Sequence, residues 1–99
     1  ITLNLDSNAV PLLPDVLELI ADGMLTRGDK NNRTYVGEMV RFTNDVSAVM
    51  QSALFDPQTA GGLLISLPEY YGAGLINDIE GAIVIGRVEP KGDRLIEVK

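Results

Sequence analysis

Eight residues, Phe55-Asp56-Pro57-Gln58-Thr59-Ala60-Gly61-Gly62, divide the chain between two apolar patterns of different period. Before them, Val46, Val49, Met50, Ala53 and Leu54 recur at the spacing of one helix face. After them, Leu63-Leu64-Ile65-Ser66-Leu67 is a near-continuous apolar run, the pattern of a strand buried on both faces. The chain therefore passes from helix to strand across a short, firmly held connection, and such connections often carry binding groups. Asp56 ahead of Pro57 suits an N-cap or an Asx-type turn, with Pro57 presetting φ at the next position. Gln58 and Thr59 add hydrogen-bonding side chains. Gly61-Gly62 admits positive φ or the close approach of another group. From the residues alone two readings stay open: a plain helix-to-strand connector, or a polar surface for a ligand.

Composition narrows the chemistry. The chain has 99 residues, no Cys and no His, and a formal net charge of −6. Thiol nucleophiles, His bases, disulfides and zinc sites are thereby excluded within these residues. No Walker-type Gly-x-x-x-x-Gly-Lys loop occurs, because Leu63 follows Gly61-Gly62. The acidic balance argues against nucleic acid, which needs Lys and Arg to displace counterions, and against a polybasic membrane contact. No apolar run reaches the roughly 18–20 residues of a membrane span. A metal here would meet only oxygen ligands, as Mg²⁺ does. Asp56 would repel a phosphate beside it unless a cation lay between them. Residues 1–99 are expected to form a single domain. Because the sequence opens at Ile1 inside a strand pattern, that domain is expected to be part of a longer chain.

Along the chain, Ile1, Leu3 and Leu5 alternate with polar residues as a strand with one buried face. Asp6-Ser7-Asn8 reads as a turn, and Ala9 to Leu13 as extended ahead of its prolines. A helix is expected from Pro14, with Leu13, Val16, Leu17, Ile20 and Met24 on one face and Gly23 as its stop. Thr26 to Thr34 reads as a polar loop. Tyr35 to Phe42 reads as irregular, or as strand near its end. Thr43-Asn44-Asp45 is the expected cap of the helix that precedes the break. Pro68-Glu69 opens another helix, with Tyr71, Leu75, Ile76 and Ile79 as its stripe. Gly72 and Gly74 weaken that helix. Ala82 to Val88 reads as a strand, and Leu95 to Val98 completes a terminal hairpin across Pro90-Lys91-Gly92-Asp93. The expected fold class is α+β, a mixed sheet with helices packed mainly on one face.

Asp56-Pro57-Gln58-Thr59-Ala60-Gly61-Gly62-Leu63-Leu64 resembles the Asp-Pro-Gln-Thr-(Ser/Ala)-Gly-Gly-Leu-Leu signature of the selenophosphate synthetases (selenide, water dikinases). Pro11-Leu12-Leu13-Pro14, Gly28 with Asn32-Arg33-Thr34-Tyr35, and Ile85-Gly86-Arg87-Val88 resemble other stretches of that family. Arg27 and Asp29 depart from it, standing where Gly and Thr are commoner. The resemblance implies the fold of the C-terminal domain in the aminoimidazole ribonucleotide synthetase superfamily. It implies that residues 1–99 are a partial C-terminal domain of a larger two-domain enzyme. That enzyme would be a cytoplasmic homodimer that makes selenophosphate, AMP and phosphate from selenide, ATP and water. ATP and Mg²⁺ would be held mainly by the N-terminal part, which would also supply the catalytic Cys or selenocysteine and Lys. This stretch would hold no cofactor tightly, ligate no metal and contain no catalytic residue. Asp56, Gln58, Thr59, Gly61 and Gly62 are the candidates for an interdomain loop at the reaction cleft, with Asn32 in support. The alternatives are a non-catalytic structural or dimerisation module, or a relative in thiamine monophosphate phosphorylation, hydrogenase maturation or purine synthesis.

Overall fold

The computed structural model describes residues 1–99. Its regular elements are β1 (Thr2–Leu5), α1 (Val16–Ala21), α2 (Arg27–Val36), β2 (Val40–Phe42), α3 (Ala48–Phe55), α4 (Glu69–Asp78), β3 (Gly86–Glu89) and β4 (Ile96–Val98). The strands form one four-stranded sheet in the order β2-β4-β1-β3. β1 runs antiparallel to β3 and parallel to β4, and β2 runs parallel to β4. The sheet is mixed and the fold is α+β, as the sequence pattern leads one to expect.

Register sorts the two faces of the sheet, because residues paired across strands point the same way. Leu3 and Val40 both pair with Ile96, and Leu5 and Phe42 both pair with Val98. Asn4 and Arg41 both pair with Glu97 on the opposite, polar face, where Arg41 Nη2 meets Glu97 Oε1 at 2.6 Å. An exposed pair of this kind contributes about 0.2–1 kcal/mol. The apolar face takes α3, whose Phe55 ring meets Phe42 edge-on with centroids 5.5 Å apart. α3 in turn packs against both α1 and α2. Val46, just before α3, and Val98 on β4 are the buried apolar residues.

The terminal hairpin does not form. β1 lies between β3 and β4, so the last two strands never touch. The connection passes the start of β1 and is pinned there by the buried Thr2, whose Oγ1 donates to the Arg94 carbonyl at 2.7 Å and accepts from Gly92 N at 2.8 Å.

The helices carry further corrections. α1 starts at Val16 rather than Pro14, because Asp15 sits in the left-handed region at φ 64°. Its stop is the expected one: Gly23 has φ +89°, and Met24 N bonds back to the Leu19 carbonyl at 3.0 Å in a Schellman-type closure. The stretch expected as a polar loop is helical, forming α2. Thr26 caps α2 by accepting from Asp29 N at 3.3 Å, and Asp29 then pairs with Arg33 one turn on. These local bonds outweigh the poor helix propensities of Gly28, Asn31 and Asn32. α3 is capped by Ser47, which accepts from Met50 N at 3.1 Å, rather than by Thr43-Asn44-Asp45.

Two apolar runs stay outside the sheet. Leu63 to Leu67 pairs with no strand, leaving Leu63 88% and Leu64 66% exposed. Of the expected strand from Ala82 to Val88, only the part from Gly86 is paired, and Ile83 and Val84 stay exposed. A strand has to share its N–H and C=O groups with a neighbour, and the ladder offers neither run one. α4 forms where expected, but Tyr71, Ile76 and Ile79 on its stripe are also exposed. Added methyl groups at Gly72 and Gly74 would meet nothing, so neither glycine is there for close packing.

Candidate functional site

The Asp56–Gly62 loop leaves the last turn of α3, and its base is gripped by α2. Asp56 is the C-cap of α3, its N–H bonding back to the carbonyls of Ser52 at 3.0 Å and Ala53 at 3.4 Å. Its carboxylate therefore caps no helix, contrary to the N-cap or Asx expectation. Oδ1 accepts from Thr26 Oγ1 at 2.7 Å, and Oδ2 accepts from the side-chain amide of Gln58. Pro57 lies against Gly28, so closely that a Cβ on Gly28 would overlap the proline ring. Asn32 is not at the loop's tip; its Nδ2 donates to the Phe55 carbonyl at 2.7 Å and closes the end of α3.

From Pro57 to Gly62 the side chains are exposed. Thr59 stands in this open part without a hydrogen bond, while Gln58 leans back to Asp56. Gly61 N bonds to the Gln58 carbonyl at 3.4 Å, a loose turn. Neither Gly61 nor Gly62 has positive φ. A methyl at Gly61 would make only ordinary contact with Gln58, and one at Gly62 would meet nothing, so the expected strain or close approach is absent.

Beneath the loop lies a second network that sequence reasoning did not find. Asp29 is buried, at 7% exposure. Its Oδ1 meets Arg33 Nε at 2.6 Å, and its Oδ2 accepts from Ser52 Oγ at 3.2 Å. Arg33 Nη2 also donates to Ser52 Oγ at 2.9 Å, and the Arg33 guanidinium lies 4.6 Å from the centre of the Phe55 ring. Every buried side-chain nitrogen and oxygen of the chain has a partner. Two signals could have shown this network: the Thr-x-x-Asp capping pattern at 26–29 and the i, i+4 spacing of Asp29 and Arg33.

Thr26, Asp29, Ser52, Asp56 and Gln58 form the polar side of an open cleft of about 290 Å³. Leu12, Val16, Leu19 and Met24 are among the apolar residues opposite. With two carboxylates and no lysine or arginine lining it, the cleft repels a bare phosphate. No three His, Cys, Asp or Glu side chains come together as a metal centre. The two carboxylates that line the cleft, Asp29 and Asp56, are each hydrogen-bonded to side chains of this chain. The loop can instead offer neutral hydrogen-bonding groups from a fixed base.

Fold and site together give an α+β arrangement in which one polar loop, anchored at its base, stands beside a cleft lined by two carboxylates. No protein-family model matches the chain. Curated relatives do match, and almost from end to end. The chain is 35% identical to the selenide, water dikinase of Clostridioides difficile (strain 630) across 99% of its residues, and 34% identical to that of Clostridium botulinum (strain Eklund 17B / Type B) across 99%. It is 32% identical to the selenide, water dikinase of Treponema denticola across 98%. The chain is thus similar to selenide, water dikinases along nearly all of its own residues, and it spans about 30% of the length of these relatives.

Proposed function

We propose that this chain is the C-terminal part of an ATP-dependent selenophosphate synthetase, the enzyme that makes selenophosphate, AMP and phosphate from selenide, ATP and water. The observation that carries the reading is the near end-to-end likeness to proteins named selenide, water dikinase, at 32–35% identity among the three compared. On this reading residues 1–99 form one unit within the second of two domains, in a homodimeric cytoplasmic protein. The nucleophile, the catalytic lysine and the Mg²⁺ ligands belong to the rest of that protein. This chain contributes the Asp56–Gly62 loop to the interdomain cleft.

The loop's chemistry is hydrogen bonding and orientation. Thr59 presents a free hydroxyl, suited to a phosphate oxygen or to the facing domain. Asp56 orients the Gln58 amide through Oδ2 while Oδ1 holds the loop to Thr26. Asn32 supports the loop from behind through the Phe55 carbonyl. Groups carried on an anchored base would accelerate transfer by holding reactants in register, without proton transfer from the chain.

The test is the Asp56→Ala, Thr59→Ala double variant of the full-length protein carrying this chain. Its expected behaviour is a loss of selenide-dependent AMP formation with unchanged circular dichroism. Turnover equal to wild type would refute the reading and leave the loop as a packing turn. That second reading, a structural module, has its own support in the internal satisfaction of Asp56 and Asn32.

A further inference from the structure

We infer that Arg33 is a positioning residue for the Asp56–Gly62 loop, acting through Phe55 and Ser52; the inference rests on the reading of that loop given above. Three consecutive residues at the end of α3 are each held by a different group of α2 or its cap. Phe55 is covered on its ring by the Arg33 guanidinium and bonded at its carbonyl by Asn32. Asp56 accepts from Thr26, and Pro57 packs on Gly28. Arg33 is the centre of this grip because it makes three contacts at once, with Asp29, Ser52 and Phe55.

The guanidinium is suited to this by shape as well as by charge. Nε and Nη2 lie in one plane and donate in different directions, to a carboxylate on the same helix and to a hydroxyl on the next. The flat face of that plane is left for the aromatic ring. A lysine ammonium keeps the charge but cannot donate along two fixed directions while stacking. Asp29 is buried, and a buried carboxylate that loses its cation is strongly disfavoured. The bridge therefore has one stable arrangement, and that arrangement sets the angle at which α3 delivers the loop.

The test compares Arg33→Lys with wild type in the full-length protein, at a temperature below both unfolding midpoints. The expected result is a kcat lower by roughly 10–100-fold, the scale of a misplacement near 1 Å, with the KM for ATP nearly unchanged. Charge is preserved, so a long-range electrostatic effect would leave kcat alone. The Asp56→Ala, Thr59→Ala variant is run in parallel. If that variant loses turnover while Arg33→Lys keeps wild-type kcat and only unfolds earlier, Arg33 is a stability residue and the inference falls alone. If the loop variant keeps full turnover, the functional reading falls and takes this inference with it. Should Arg33→Lys not fold, Ser52→Ala removes one arm of the bridge without moving a charge. A several-fold drop in kcat there supports the inference, and an unchanged kcat overturns it.

Discussion

Gly28 and Pro57 share a space that a single methyl group would have to enter. A Cβ at position 28 would overlap the proline ring, which cannot rotate away. Gly28→Ala would gain about 1 kcal/mol of helix propensity, against about 1–3 kcal/mol of overpacking. The expected outcome is a net loss of stability, read as a lower urea midpoint at unchanged slope, together with a displaced loop. Thr26 has two roles at one oxygen, accepting from Asp29 N and donating to Asp56. Thr26→Ala should therefore cost about 1–2 kcal/mol in thermal unfolding, more than Ser47→Ala, which removes only an N-cap bond. An equal loss for the two variants would mean that the Asp56 bond contributes nothing.

Among the elements, α4 is the one whose sequence is least suited to its conformation. Gly72 and Gly74 lie in its interior, and added methyl groups there would meet open space. Gly72→Ala with Gly74→Ala should stabilise the helix by about 1 kcal/mol per site, detectable as slower amide exchange confined to α4. α4, α3 and the sheet class were legible because each depends on a local period or cap. Helix α2 was missed because Gly28 and the Asn31-Asn32 pair lower its propensity, and only part of what offsets this is local: beside the Thr26 cap and the Asp29–Arg33 pair, bonds reach to Ser52 and Phe55 on another helix. Leu63 to Leu67 was misread for the opposite reason. Its composition favours a strand strongly, but strand formation requires a partner that no local pattern can supply. At the site, the loop itself was visible in Asp56-Pro57 and Gly61-Gly62. Its anchoring was not, since Thr26 and Asp56 are thirty residues apart in the chain.

At the scale of the whole molecule, surface outweighs core. A folded monomer of 10.7 kDa is expected to expose about 5,500 Å², whereas this chain exposes 7664 Å². Its radius of gyration is 14.3 Å, against about 12.6 Å for a compact domain of this length. Much of the excess is apolar and belongs to Leu63, Leu64, Tyr70, Tyr71, Ile83 and Val84. The 99-residue chain by itself should therefore bind a hydrophobic dye such as ANS and unfold with a shallow denaturant slope. Dye fluorescence equal to that of a compact protein of the same size would contradict this. The sheet adds a constraint in time. β1 is the second strand from one edge and is made before the other three strands, yet both of its neighbours, β3 and β4, come from residues 86–98. A ribosome adding about 5–20 residues per second holds β1 unpaired for several seconds while the rest is made. Removing Ile96–Val98 should leave β1 and β2 with no strand between them, so one three-residue strand holds the two halves of the sheet together.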